Sequence, residues 1–225
     1  MATDSDASAS SSSESTSRSV EAANEIRARI ANGDLKPGER APEAKLAESL
    51  RISRNTLREA FKSLSQEGLL TQIPNKGTYV AVPSISTIID VYRVRRLVEV
   101  QAVAQAIPRH PAIARMRAAF ESAIDARDRD EWPDVATANI AFHRAIFELT
   151  DSPRLSQLHE RLATELRLAF GLIADPEYLH APFVERNREI LELLEAGQAD
   201  EAAARLEEYL LLAERILLAG YERIR

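Results

Sequence analysis

The run Ser53-Arg54-Asn55-Thr56-Leu57-Arg58 places two guanidinium groups four positions apart with an amide between them. On a helix, side chains at i and i+4 share a face. These groups suit base edges: an arginine fork can grip guanine O6 and N7, and an asparagine amide matches adenine. Lys62 continues the basic face, while Leu57, Ala60, Phe61 and Leu64 form an apolar stripe on the opposite side. A second set of polar residues falls where apolar ones belong. Arg95 continues the stripe of Val91, Val98 and Ala102, and Asn139 and His143 continue Val135, Phe142 and Ile146. Asn187 lies among Phe183, Ile190, Leu191 and Leu194, and Tyr209 among Ala202, Leu206, Ala213 and Ile216. Inward polar groups on four helices imply a polar cavity, because a buried polar atom without a partner costs about 1–3 kcal/mol. Arg95 has two readings: a partner for Glu99 one turn on, or an anchor whose planar fork grips a carboxylate. His110, His159 and His180 fall near helix ends or on outer faces and read as surface residues.

The elements that position the first set are short. Residues 1–18 are rich in Ser, Ala and Asp and have no large apolar residue after Met1, so a disordered tail is expected. Val20, Ala23, Ile26 and Ile30 then mark one face of a helix that stops near Gly33. Pro42 stands at a plausible first helical position, and Leu46, Ala47 and Leu50 give a second short helix. The link Arg51-Ile52-Ser53 leads into a third helix with Ser53 as N-cap. After Gly68, LLTQI and TYVAV are β-prone runs separated by Pro74-Asn75-Lys76-Gly77, a four-residue hairpin turn. Two helices with a three-residue link, the second basic at its exposed N-terminal end, match a helix-turn-helix whose recognition helix enters the major groove; the hairpin adds a wing with Lys76 at its tip. From Ser84 onward about six helices follow, with breakers at Pro108/Pro111, Asp151-Ser152-Pro153, Asp175-Pro176, Pro182 and Gly197. The fold expected is mainly α: a winged helix-turn-helix of three helices and a hairpin over residues 19–83, then an all-α antiparallel bundle over 84–225.

Composition narrows the chemistry. Over 225 residues there is no cysteine, which excludes disulfides, thiolate metal sites and cysteine nucleophiles. Phosphate-binding glycine loops are absent, and no apolar run approaches the roughly 20 residues of a membrane helix. A cytoplasmic protein with no membrane partner is expected. The net charge of −6 argues against nucleic acid only until it is divided. Residues 19–83 carry ten basic and eight acidic side chains, leaving +2; the tail carries −2 and residues 84–225 carry −6. Screening confines such fields to about 8 Å at physiological salt, so a basic reading head can coexist with an acidic remainder.

The run from PGER through LAESLRISRNTLREAFKSLSQEGLL to NKGTYV resembles the DNA-binding domain of GntR-family transcriptional repressors. The resemblance implies DNA contacts from Lys45, Ser53, Arg54, Asn55, Thr56, Arg58, Lys76 and Gly77. Some relatives carry an arginine on the second helix where this chain has Ala44, so that backbone contact is lost or falls to Lys45. The helical half is similar to the FCD ligand-binding domain of the FadR branch, through VRRLVE, NIAFH and ERNREILELLEAG. Many such domains hold a divalent metal through an Asp four residues before a His and two later histidines. Here His143 remains, while Asn139, Asn187 and Tyr209 stand at the other positions. An amide and a phenol replace imidazole poorly as ligands, so no cofactor is expected, beyond weak metal binding at His143. Arg95, Asn139, His143, Asn187 and Tyr209 would instead bind a small organic acid.

The expected function is therefore that of a homodimeric DNA-binding regulator, more readily a repressor than an activator, on a near-palindromic operator, with binding modulated by a carboxylate effector. The alternatives are a helical scaffold or DNA-binding protein with a degenerate, ligand-free pocket, and an enzyme using His143 as base beside Arg95. The last lacks an activated nucleophile.

Overall fold

The computed structural model describes residues 5–223 and divides the chain into two compact units, Met1–Val82 and Pro83–Arg225. In the first unit, helix α1 (Ser5–Ala31) packs against α3 (Arg54–Gln66), and α2 (Glu43–Ser49) packs on α3 from the other direction. The backbone is helical from Ser5, within the stretch expected to be a tail; residues 1–4 lie outside the described residues. Extending an existing helix needs no new nucleus, so the turns around buried Ala22, Ala23, Ile26 and Ile30 can propagate toward the N-terminus.

The turn between α2 and α3 is made by Arg51 at φ 53°, and Ser53 caps α3 by accepting the Thr56 N–H at 3.1 Å. Pro42 is the N-cap of α2, one residue before the position expected for it. Strands β1 (Leu70–Ile73) and β2 (Gly77–Val80) form an antiparallel hairpin with Ile73 opposite Gly77. The connection is thus three residues long instead of four, because Gly77 joins the ladder at φ 106° and Asn75 takes the left-handed bend at φ 61°. Leu57, Ala60, Phe61 and Leu64 are all at most 1 % exposed, so the apolar stripe of α3 is the core of this unit and its basic face is left outward.

The second unit contains α4 (Ile85–Ala104), α5 (Pro111–Asp128), α6 (Trp132–Glu148), α7 (Pro153–Phe170), α8 (Pro176–Glu195) and α9 (Ala199–Glu222). Helix α6 packs against α4, α5, α7 and α8, while α9 covers α4 and α8. Pro182 does not break its helix: it lies inside α8 on the exposed side. There the carbonyl one turn back, released by the missing N–H, can be satisfied by water. The unmarked break between α5 and α6 falls at Asp130, which adopts φ 60°.

Candidate functional site

Two sites emerge, one in each unit. On the first unit, a cleft of about 640 Å³ is lined by Arg40, Pro42, Glu43, Lys45, Arg54 and Arg58 among others. None of the four cations in it has an ion pair or side-chain hydrogen bond among the described residues, whereas Arg27 in the same unit forks onto Glu67 and Arg29 pairs with Glu25. Four exposed cations against the one carboxylate of Glu43 leave this cleft positive, an anion-attracting surface. Arg54, Asn55 and Arg58 are exposed on α3, as their spacing predicts. Ser53 and Thr56 are committed to each other: their hydroxyl oxygens lie 2.8 Å apart and Thr56 is only 8 % exposed. The pair shapes the start of the helix and leaves outward contact to the longer neighbours. Lys76 is exposed at the hairpin tip beside Gly77.

The second site is a chain of buried polar groups crossing four helices. Arg95 Nε on α4 donates to Glu99 Oε1 at 2.6 Å, and Glu99 Oε2 lies 2.6 Å from His143 Nδ1 on α6. His143 Nε2 is 3.0 Å from the Tyr209 hydroxyl on α9. Tyr209 donates to Asn139 Oδ1 at 2.9 Å, and Asn187 Nδ2 on α8 donates to the same oxygen at 2.8 Å. All five residues expected to converge do so. Glu99, fully buried, is the link between Arg95 and His143; of the two readings of Arg95, its Nε takes the carboxylate one turn on.

Burial alone would raise the Glu99 carboxyl, but Arg95 and His143 outweigh it and hold the group down at about 2. Desolvation lowers the His143 pKa against the pull of Glu99, and it raises that of Tyr209. Neutral His143 donates a hydrogen bond from Nδ1–H to Glu99, leaving Nε2 as an acceptor. Tyr209 then has one proton and two acceptors, His143 Nε2 and Asn139 Oδ1.

Two small cavities, each of about 20 Å³, flank this chain, and Arg95, Asn139 and Phe170 line both. Each holds about one water. His143 and His159 face the first; Tyr92, His180 and Tyr209 face the second, whereas Asn187 lines neither. The Arg95 guanidinium also reaches Tyr92, bonding to its side chain and lying 5.1 Å from the centre of its ring. His159 Nε2 and Asn187 Oδ1 are buried without partners.

The three histidines read as surface are in fact buried. His110, at 9 % exposure, caps α5 by accepting the Ala112 N–H. His159 and His180, at 5 % and 3 %, pack against Phe147 and Phe170 with ring centres 5.0 Å apart. The ring partners of His159 and His180 lie on neighbouring helices, so no spacing within their own helix reports them. A metal does not fit His143 as built: both of its ring nitrogens already have protein partners, the Glu99 carboxylate is taken up by Arg95 and His143, and the remaining donors are two amides and a phenol. Among the described residues no group of three or more His, Asp or Glu side chains is placed to hold an ion.

Comparison with known proteins agrees with both units. Residues 18–80 match the model of bacterial regulatory proteins of the gntR family, and residues 90–211 match the FCD domain. The chain is 29 % identical over 179 residues to the Nta operon transcriptional regulator of Aminobacter aminovorans, covering 76 % of this chain and 80 % of that one. Over 59 residues, 26 % of this chain and 25 % of the relative, it is 42 % identical to the mannosyl-D-glycerate transport/metabolism system repressor MngR of Escherichia coli. A solved GntR-type structure from Rhodococcus sp. RHA1 superposes with a TM-score of 0.85 at 34 % identity, covering 90 % of this chain and 98 % of that one. With a winged helix-turn-helix that presents unpaired cations and a helical unit built around a polar chain, the protein belongs to the GntR family of transcriptional regulators, with an FCD domain as its second unit.

Proposed function

We propose that this regulator is a homodimeric repressor that holds a near-palindromic operator through Arg54, Asn55 and Arg58 of α3 and Lys45 and Lys76 beside them, and that a small organic acid bound in the FCD unit releases it. The observation that carries the DNA half is the cleft of unpaired cations, since a protein surface that sets four such groups against one carboxylate favours a polyanion. Two-fold symmetry of the protein would be mirrored in the operator. Leu97 on α4, 68 % exposed between half-buried Val94 and Val98, supports an apolar contact between copies.

The effector half rests on Arg95. Its Nε is committed to Glu99 and its guanidinium lines both cavities, as does Asn139, while the unpartnered His159 Nε2 adds a polar contact at the first. A carboxylate oxygen would accept from Arg95, and His143 and Tyr209 would fix the polar wall around it. The effector acts through different affinities for the DNA-competent and DNA-incompetent states.

Gel shift of the full chain against genomic fragments tests the first half. Arg54→Ala with Arg58→Ala abolishes specific retardation; unchanged binding refutes the assignment of the recognition helix. Thermal shift against a panel of small carboxylates tests the second: an acid at about 100 times its Kd adds roughly 2.7 kcal/mol. Absence of any shift across the panel favours a ligand-free scaffold.

A further inference from the structure

Arg40 lies outside the recognition helix and outside the wing strands, yet it is fixed against the wing and lines the same cleft as Arg54 and Arg58. The segment before α2 runs alongside β2 as a third extended stretch. Val80 N–H donates to Glu39 O at 2.8 Å, Ala41 N–H donates to Thr78 O at 2.9 Å, and Arg40 is bridged to Tyr79. These bonds fix the Arg40 backbone, and its side chain crosses the wing tip. A Cβ on Gly77 would stand 3.2 Å from Arg40 Nε, 3.3 Å from Nη2 and 3.6 Å from Cζ. Gly77 therefore serves two purposes at once: it adopts φ 106°, and its bare backbone seats the guanidinium.

The seating has no partner to explain it. Arg40 is exposed, makes no ion pair or side-chain hydrogen bond among the described residues, and lines the same cleft as Lys45, Arg54 and Arg58. An unpaired surface arginine ordinarily samples many rotamers; one lying along a glycine is already ordered, so less entropy is lost when an anion arrives. Its planar fork suits two oxygens of one phosphate.

Resting on the DNA-reading function proposed above, we propose that Arg40 is a further DNA-contacting residue, clamping a backbone phosphate between the recognition helix and the wing, and that Gly77 is required to position it. The contact orients the protein on the duplex and does not read sequence.

The test uses the full-length protein and a duplex that it selects from a random-sequence pool, with binding measured over a salt series. Arg40→Ala and Arg40→Gln each weaken binding about tenfold at physiological salt. Each also lowers the salt slope by about one for every protomer bound, with the loss similar across sequence variants of the duplex. Arg40→Lys, which keeps the charge, recovers part of the affinity and the slope. Gly77→Ala weakens binding in the same way while the salt dependence of an added Arg40→Gln is no longer seen. Circular dichroism confirms that the variants are folded. Arg40→Gln binding with parental affinity and slope overturns the proposal, and so does a loss confined to one base-pair position at unchanged slope. A parent protein that selects no duplex refutes the DNA-reading function itself, which separates the two failures.

Discussion

His159 and His180 make the FCD unit sensitive to mild acid. Desolvation holds the His159 imidazole down at about 3, and desolvation with Arg167 nearby holds His180 at about 4, against an ordinary value near 6.5. Depressed histidine pKa values mean that the unfolded chain takes up protons at a pH where the folded one cannot. Stability from this source is complete above about pH 6.5 and falls as the pH drops toward 4 and 3. Between about pH 7 and pH 5 each histidine costs roughly 2 kcal/mol, so the pair removes about 4 kcal/mol, a large fraction of a typical domain's stability. His143, also depressed by burial, acts in the same direction. Glu99 does not confuse the measurement, because its carboxyl is held at about 2 and its own loss begins only below the ordinary carboxylate range near 4.5.

Urea melts followed by Trp132 fluorescence make the test specific, since this is the only tryptophan in the chain and it opens α6 of the FCD unit. His159→Leu removes one titrating group and its unpartnered Nε2 together. The variant is expected to match or exceed the parent near pH 7, since up to about 1–3 kcal/mol of unsatisfied polar burial is relieved. It should then lose about 2 kcal/mol less than the parent on going to about pH 5. A parent whose stability is flat over that range refutes the reasoning. Equal pH slopes for parent and variant would refute the role of His159 alone.

Other perturbations have equally definite outcomes. Glu99→Ala strips the only carboxylate from a buried Arg95 and should cost about 3–5 kcal/mol in the same melts; a cost below about 1 kcal/mol would show that Arg95 is solvated by other means. Chelation with EDTA should leave the melting curve of protein purified without chelator unchanged, because the donors around His143 are bonded to one another; a chelator-induced loss of stability would place a resident ion in the unit. In the homodimer proposed above, Leu97→Glu puts a charge beside half-buried Val94 and Val98 on α4 and should shift light-scattering mass from dimer to monomer, with DNA affinity falling alongside. A monomeric parent would refute the proposed dimer, and an unchanged dimer mass would refute the role of Leu97.

What could be read in advance follows from which interactions are local. The recognition helix was legible because its signals lie within one helix: the Ser53 cap, the i, i+3, i+4, i+7 stripe and the basic face all arise from helical geometry. The convergence of Arg95, Asn139, His143, Asn187 and Tyr209 was legible for a related reason. Each interrupts an apolar stripe, and four such helices packed together must bring their interruptions to a common interior. Glu99 was visible only as one possible partner of Arg95; its bond to His143 spans 44 residues and no spacing rule reports it. The buried histidines escaped for the opposite reason. His110 and His180 stand near helix ends, where exposure is usual, and the packing of α7 and α8 against Phe147 and Phe170 decides the matter instead. Pro182 shows the same limit, since a proline interrupts a helix only where the freed carbonyl has no alternative partner, and the exposed side of α8 supplies water.

The size of the two cavities bears directly on how an effector could control DNA binding. At about 20 Å³ each, they accept a water apiece, and the side chains between them are Arg95, Asn139 and Phe170. Any organic acid larger than that enters only if this partition moves. Arg95 is tied to Glu99 and Asn139 to Tyr209 and Asn187, so Phe170, half-buried at the C-terminal end of α7 and held by ring contact with His180, is the member with no hydrogen bond to break. Its displacement joins the two spaces along the guanidinium. A ligand that requires the displaced packing binds that packing and not the closed one, so its differential affinity is built into the act of entry. The shift it can impose on the regulator is limited to the difference between the contacts it makes with Arg95 and those lost by Phe170.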